Sequence, residues 1–377
     1  MQKTHSSSFD VCAIGNALVD VIANCTDDFL QANGIAKGAM TLIDADRAGH
    51  LYDVIGPAVE ISGGAAANTV AGIASFGGNP AYMGKVKADQ LGAIFRHDMH
   101  ALGVHFATSP LAERRTHVRN AQSDGKSSCE PVSSQEHALH EQLRGDDNEH
   151  RLMAHEKWER SSPTGRCLIL VTPDAQRSMS TYLGAAVEFS VNDIQPEVIQ
   201  ASEVTYLEGY LFDPPEAQKA FREAAKIVHQ AGHLLALSLS DVFCVDRHRK
   251  AFLDLVKDEV DILFANQGEL LALFETQDLD KAMAAARQYC KIAVTTRSEK
   301  GAIIAKGKET VEIKAEPVHR VVDTTGAGDL FAAGFLFGMT RKKSLAECGR
   351  LGALAAAEVI SHFGPRPQRS LKELLTA

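Results

Sequence analysis

The chain has 377 residues, which at about 150 residues per domain sets a prior of two to three domains. Hydrophobic residues make up 45% and charged residues 23%, enough apolar material for a packed core, so a disordered, collagenous or coiled-coil chain is excluded. A net charge of −9 with no basic stripe argues against nucleic acid as a partner, and no apolar run approaches the ~18 residues of a membrane span. The seven cysteines contain no Cys-x-x-Cys pair, which leaves neither a disulfide framework nor a structural zinc pattern. Together with a polar N-terminus lacking a signal-peptide succession, this gives the expectation of a cytoplasmic protein.

Short apolar, β-branched runs alternate with helical periodicity, the pattern of an α/β fold with a mainly parallel sheet flanked by helices. In chain order, strands are expected at Phe9 to Gly15, Ala81 to Val86, Glu203 to Gly209, Leu234 to Ser238, Val260 to Phe264 and Ile292 to Thr296. Helices are expected at Ser62 to Phe76, Pro215 to Ala231, Gln267 to Phe274 and Gly326 to Met339. Two stretches, about 18–43 and 104–182, read instead as strands with polar alternation, as in a small sheet forming a lid over one edge of a larger domain. Within the second, Arg115 to Ser161 has 11 hydrophobic residues in 47, too few for a core of its own, so it reads as a polar insertion. Five histidines lie in it (His117, His137, His140, His150 and His155), at spacings that match no zinc pattern. A helix from Ser134 through Leu143 would be marginal alone at that length. Subtracting the insertion leaves 330 residues, consistent with a single large domain spanning 1–377 with a discontinuous lid.

The string that carries chemistry is Asp323-Thr324-Thr325-Gly326-Ala327-Gly328-Asp329, set between the apolar pair Val321-Val322 and the helical run that follows. Gly326 and Gly328 permit a tight turn, and the first helical turn presents unpaired N–H groups at the positive end of the helix dipole. Such donors suit a phosphoryl group. Asp329, in that first turn, is placed to take a proton from an alcohol attacking the γ-phosphorus of ATP, help worth roughly 10²–10⁴ in rate. The competing reading is that Asp329 caps the helix and the glycines make the turn. A dinucleotide fingerprint fails because Phe331 stands where the third glycine is needed. A Walker A loop fails at Asn79 and Val86 around Gly84-Lys85.

With this string, the chain resembles the ribokinase-like PfkB carbohydrate kinases, the adenosine kinases among them most closely. The resemblance covers nearly the whole chain except the insertion. It implies that Asp329 is the catalytic base and that Gly326, Ala327 and Gly328 form the anion hole. It also implies that Asn16 and Asp20, in Gly15-Asn16-Ala17-Leu18-Val19-Asp20, bind the sugar hydroxyls, where a carboxylate can accept from two vicinal hydroxyls. Gly64 and Asn68, in Ser62-Gly63-Gly64-Ala65-Ala66-Ala67-Asn68, would line the same site. Asn266-Gln267-Gly268-Glu269 is similar to the family's Asn-x-x-Glu, whose glutamate holds Mg²⁺ through water; as a local pattern it is equally a capping box. Arg177 aligns with a lid arginine that reaches the transferring phosphate. Asn266, Thr296 and Gly301 fall on the ATP side, where Ser298 replaces the family's usual glycine.

The implied reaction is ATP-dependent phosphorylation of the adenosine 5′-hydroxyl, as in purine salvage, with Tyr206 and Tyr210 as aromatics available to stack on a purine. A PfkB kinase acting on ribose, fructose or a related sugar is the alternative, because Asp20, Asn68 and Asp329 would serve both. A kinase-fold binding protein without turnover is a further alternative, which would predict a damaged base or anion hole. Expected cofactors are Mg²⁺, with ATP as co-substrate, and potassium held with help from Asp323 and Thr325. Expected partners are the small-molecule acceptor and ATP, with no nucleic acid or membrane, in a monomer or homodimer.

Overall fold

A computed structural model describes residues 8–106, 108–111, 162–174 and 176–375. The insertion at 115–161, with its histidines and the expected helix at Ser134 to Leu143, lies outside the described residues.

The large sheet has nine strands in the order β14-β13-β12-β11-β10-β9-β1-β5-β6. Its strands are β1 (Phe9–Ile14), β5 (Pro80–Met83), β6 (His105–Phe106), β9 (Ser202–Glu208), β10 (Leu234–Ser238), β11 (Ile262–Asn266), β12 (Ile292–Thr296), β13 (Ala302–Lys306) and β14 (Glu309–Ile313). From β6 to β12 every pairing is parallel, and β13 and β14 close one edge antiparallel. Both faces are covered, so successive residues of one strand enter different cores. Ala13, Tyr206, Ala236 and Phe264 pack under the helices Ala65–Ser75, Ala327–Thr340 and Leu345–Val359. Cys12, Leu207, Leu237 and Leu263 face Pro215–Ala231 and Val242–Asp258 on the other side.

A five-stranded second sheet runs in the order β3-β8-β7-β2-β4, with β2 (Leu18–Asn24), β3 (Met40–Leu42), β4 (Ala58–Gly63), β7 (Thr164–Val171) and β8 (Arg177–Gly184). Two boundaries differ from the sequence expectation. Strand β4 lies beyond residue 43, and its last two residues, Ser62 and Gly63, fall where the sequence pattern predicts a helix. The chain turns at Gly64, whose φ of 99° only glycine adopts readily, and the helix starts at Ala65. Strand β6 belongs to the large sheet, beside β5. A short helix, Asp27–Ala32, also interrupts the first of these stretches, held by Thr26 accepting from the Phe29 N–H.

The last two long helices pack backbone to backbone. A Cβ on Gly334 would stand 2.3 Å from the Leu351 carbonyl oxygen, and a helix backbone cannot yield as a flexible side chain can. Gly334→Ala should therefore lower the unfolding free energy in urea by about 1–3 kcal/mol, the usual cost of overpacking. An unchanged denaturation midpoint would show that this interface has slack.

Candidate active site

The carboxyl ends of the parallel strands converge on one cleft, the place where open α/β sheets bind ligands. Asn16 follows β1, Glu208 ends β9, Ser240 and Asp241 follow β10, and Asn266 and Thr296 end β11 and β12 as register partners. The small sheet adds Asp20 from β2, whose partner strand β4 runs through Ser62 and Gly63.

Glu208, inside the expected strand Glu203 to Gly209 but given no role by sequence reasoning, organises the acceptor side. It is 1% exposed and accepts from the Asn16 N–H at 3.2 Å, the Asn16 Nδ2 at 3.0 Å and the Ala66 N–H at 2.7 Å. Hydrogen bonds to a charged group contribute roughly 1.5–3 kcal/mol each, so this carboxylate ties the end of β1 to the start of the helix Ala65–Ser75. Gly15 makes room for it, since a Cβ there would meet Glu208 Oε2 at 2.3 Å. Its only local signal is an acidic residue directly after the apolar pair Tyr206-Leu207 at the end of the strand.

Asp20 is 7% exposed, and no hydrogen-bond donor among the described residues reaches its carboxylate. Burial pushes its pKa up to about 7, against the opposing pull of Arg366 and Arg177. A buried carboxylate without donors is one that a polyhydroxy ligand would satisfy. Gly63 keeps the position open, because a Cβ there would lie 2.4 Å from the Asp20 carboxylate.

Asp329 does not cap its helix. The N-cap of Ala327–Thr340 is Gly326 at φ 79°, without a side-chain cap, and Asp329 Oδ2 instead accepts from Asn68 Nδ2 at 2.9 Å. Thr69 Oγ1 donates to the Asp329 carbonyl at 3.2 Å, so the helices Ala65–Ser75 and Ala327–Thr340 are joined where both begin. Burial raises the Asp329 pKa to about 6, with the Asn68 bond and the Arg366 charge lowering it. Asn68 Oδ1 is buried without a donor among the described residues. At the turn, the Ala327 N–H is directed to the Thr324 carbonyl at 3.2 Å, while nothing lies within 4 Å of a Cβ built on Gly328. The open approach to the helix start is thus at Gly328.

Arg177 Nη1 lies 2.7 Å from Asp323 Oδ2, and its guanidinium stacks 5.1 Å from the Phe363 ring. The contact with Asp323 is one of charge and proximity, because no guanidinium nitrogen makes a directed hydrogen bond among the described residues. Asp323 also accepts from Thr325 N–H and Oγ1 at 3.1 and 2.8 Å and from Gly364 N–H at 3.0 Å. Asp323 and Thr325 are therefore engaged with each other at the turn.

On the other side of the cleft the capping box at Asn266 is formed. Asn266 Oδ1 accepts from the Glu269 N–H at 2.9 Å, and both Glu269 oxygens accept from Asn266. Glu269 is 5% exposed, and its pKa rises to about 7 through burial, with Asp241 and Asp329 adding to it. Among the described residues no three His, Cys, Asp or Glu side chains converge on a metal ion. A buried, negatively charged corner of this kind fits Mg²⁺ held through water and phosphate oxygens, the ion's usual mode. Ser298 takes a left-handed φ of 52°, the conformation that makes glycine the ordinary choice there. Gly301 is required locally, since a Cβ would meet the Ile313 carbonyl at 1.9 Å.

Tyr206 cannot stack on a ligand. It is 1% exposed in β9, edge-on to Phe264 at 6.0 Å, and belongs to the core. Tyr210 sits past the strand end with its N–H donating to Ser240 Oγ at 3.1 Å. Burial and the carboxylates Asp241, Asp329, Glu269 and Glu208 raise its pKa far above the usual phenol value.

Residues 141–371 match the family described as pfkB family carbohydrate kinase. An adenosine kinase from Sinorhizobium meliloti is 49% identical and superposes with a TM-score of 0.79, with 98% of both chains covered. A probable sugar kinase protein from Rhizobium etli is 46% identical with a TM-score of 0.80, again over 98% of both. Among curated proteins, the cytidine kinase of Thermococcus kodakarensis is 37% identical over 119 residues, so the alignment spans 31% of this chain and 42% of that protein. The fold is ribokinase-like. The chain belongs to the pfkB family of carbohydrate kinases.

Asp20, Glu208, Glu269 and Asp329 share one thermodynamic consequence. A carboxyl group with a higher pKa folded than unfolded binds more protons in the folded state. Its contribution to stability is full below the unfolded value and is lost as pH rises through the folded value. The unfolding free energy should therefore fall between pH about 4.5 and about 7, and Asp329→Asn should make that fall shallower. Urea titrations across this range check it; a stability that rises with pH there would contradict the burial of these groups in charged form.

Proposed function

We propose that this chain transfers the γ-phosphoryl group of ATP to the 5′-hydroxyl of adenosine. The observation that carries the reading is Asp329: a buried carboxylate in the first turn of a helix, turned away from capping, held by Asn68, and with a pKa raised toward neutrality. A base of that kind takes a proton near neutral pH and still has a driving force to do so. In this reading Asp20 and the Asn68 Oδ1 accept hydrogen bonds from the ribose hydroxyls, with Asn16 beside them and Gly64 shaping the turn. Gly326, Ala327 and Gly328 form the loop that faces the phosphoryl group, with Gly328 at its open point. Asn266, Thr296 and Gly301 flank the nucleotide, and Arg177, drawn from Asp323, balances charge on the transferring group. Glu269 would hold Mg²⁺ through water; bound there with ATP, the ion neutralises phosphate charge.

Adenosine rather than a free sugar is favoured by the 49% identity to the Sinorhizobium meliloti adenosine kinase across nearly all of both chains. The 46% identity to a probable sugar kinase keeps ribose and fructose as the second reading. A cytoplasmic location and a place in purine salvage accompany the first. The experiment is ADP release across adenosine, inosine, ribose, fructose and 2-keto-3-deoxygluconate; turnover of a free sugar far above every nucleoside would replace adenosine as the substrate.

Asp329→Asn should lower kcat by roughly 10²–10⁴ while leaving the adenosine Kd within a few-fold. In the wild-type chain the acid limb of kcat/KM should fall near pH 6, where the base becomes protonated. Activity that survives the substitution would remove Asp329 from its role. Glu269→Gln should raise the Mg²⁺ concentration needed for half-maximal rate; no change would place the ion elsewhere.

A further inference from the structure

The segment after the last long helix, Phe363-Gly364-Pro365-Arg366, touches several parts of the cleft. Phe363 lies against the Arg177 guanidinium, and Gly364 N–H donates to Asp323. Pro365 packs on the turn at Gly326, where a Cβ would meet it at 2.8 Å. Arg366 reaches across to the small sheet, with Nη2 donating to the Ser62 carbonyl at 2.8 Å and approaching Ser62 Oγ at 3.3 Å. Ser62 pairs with Val19, the neighbour of Asp20, so the guanidinium is anchored beside the carboxylate expected to bind hydroxyls.

The remainder of that guanidinium makes no hydrogen bond among the described residues. Nε and Nη1 are both buried. The nearby polar groups are committed: Tyr82 Oη donates to the Gly15 carbonyl at 3.0 Å, and Asp98 Oδ2 accepts from the Ser62 N–H at 2.8 Å. Asp20 and Asp329 both feel the Arg366 charge, yet neither forms an ion pair with it within 4.0 Å among the described residues. Buried arginine donors are costly to leave unmade, and here two of them belong to a guanidinium whose charge both Asp20 and Asp329 feel.

We propose that Arg366 is an acceptor-binding residue, its Nε–H and Nη1–H donating to oxygen atoms of a polyhydroxy acceptor held between Asp20 and Asp329. This rests on the phosphotransfer reading of the cleft. It extends that reading, because Arg366 lies outside every motif in the sequence analysis. Arginine suits the place, since its planar fork can fix one edge on Ser62 and present the other to the ligand.

The test is calorimetric binding of adenosine, ribose and fructose, without ATP, to the wild-type chain, Arg366→Lys and Arg366→Gln, with ATP KM measured in parallel. Loss of charge-assisted bonds should weaken binding of the preferred acceptor in Arg366→Gln by on the order of 10- to 100-fold, with a smaller loss in Arg366→Lys and an ATP KM within a few-fold. In Arg366→Gln the acid limb of kcat/KM should also move to higher pH, since Asp329 loses a neighbouring positive charge. That shift follows from the lost charge whatever the arginine binds, so the acceptor Kd decides its role. An acceptor Kd unchanged within about twofold in both variants overturns the proposal, as does equal loss of acceptor and ATP affinity with a lowered melting temperature, the mark of a structural brace. If the wild-type chain binds none of the three acceptors, the adenosine, ribose and fructose readings of the cleft fail, and the arginine's role with them.

Discussion

The cleft depends on burying carboxylates that are compensated mainly by neutral donors. Glu208 is satisfied by two backbone N–H groups and the Asn16 amide, Asp329 by the Asn68 amide, and Glu269 by Asn266. Full ion pairs would hold these groups ionised far below neutrality. Amide donors do so only in part, so burial prevails and the groups titrate near neutrality. The cationic groups close by, Arg177 and Arg366, stand on segments from the small sheet and the C-terminal stretch rather than on the strand ends. The arrangement leaves net negative charge facing the cleft, a setting in which a divalent cation arriving with a phosphate chain is electrostatically welcome.

The geometry of the large sheet explains why these groups meet. Parallel strands deliver their carboxyl ends to one edge, so residues as far apart as Asn16, Glu208, Asn266 and Thr296 become neighbours without any local design. The helices Ala65–Ser75 and Ala327–Thr340 then begin at that same edge. Their glycine starts, Gly64 and Gly326, lie at positive φ, which turns each chain sharply enough for the first helical turns to face each other across the Asn68–Asp329 bond.

Sequence patterns revealed what is locally determined. The Asp323 to Asp329 string could be read because a turn followed by a helix needs its glycines and its first-turn acid within a few residues. Strands β10 and β12 could be read because buried parallel strands are apolar throughout. Ser62 and Gly63 were misread as helical, since small residues carry no period and the break at Gly64 is a backbone angle, not a hydrophobicity. Strand β4 as a whole has little buried surface to mark it, since it lies at an edge of the small sheet with Ala58 to Ile61 exposed or half-buried. Tyr206 was misassigned because an aromatic residue in a two-sided strand has no marker for which layer it enters. Glu208 and Arg366 were beyond local reasoning, since their partners lie 142 and 304 residues away.

Those separations bear on how the protein is made. The contact that sets the base, Asn68 to Asp329, spans 261 residues, and the anchor of Arg366 on Ser62 spans more. Contacts of such length form late, after the loop-closure entropy has been met by the sheet and its covering helices. During synthesis the strands from β1 to β12 can be in place while the turn at Gly326 and the stretch through Arg366 are still inside the ribosome. A chain at that stage holds the acids of the strand ends without their closing partners, so the cleft is assembled only when the segments from Gly326 to Arg366 join it.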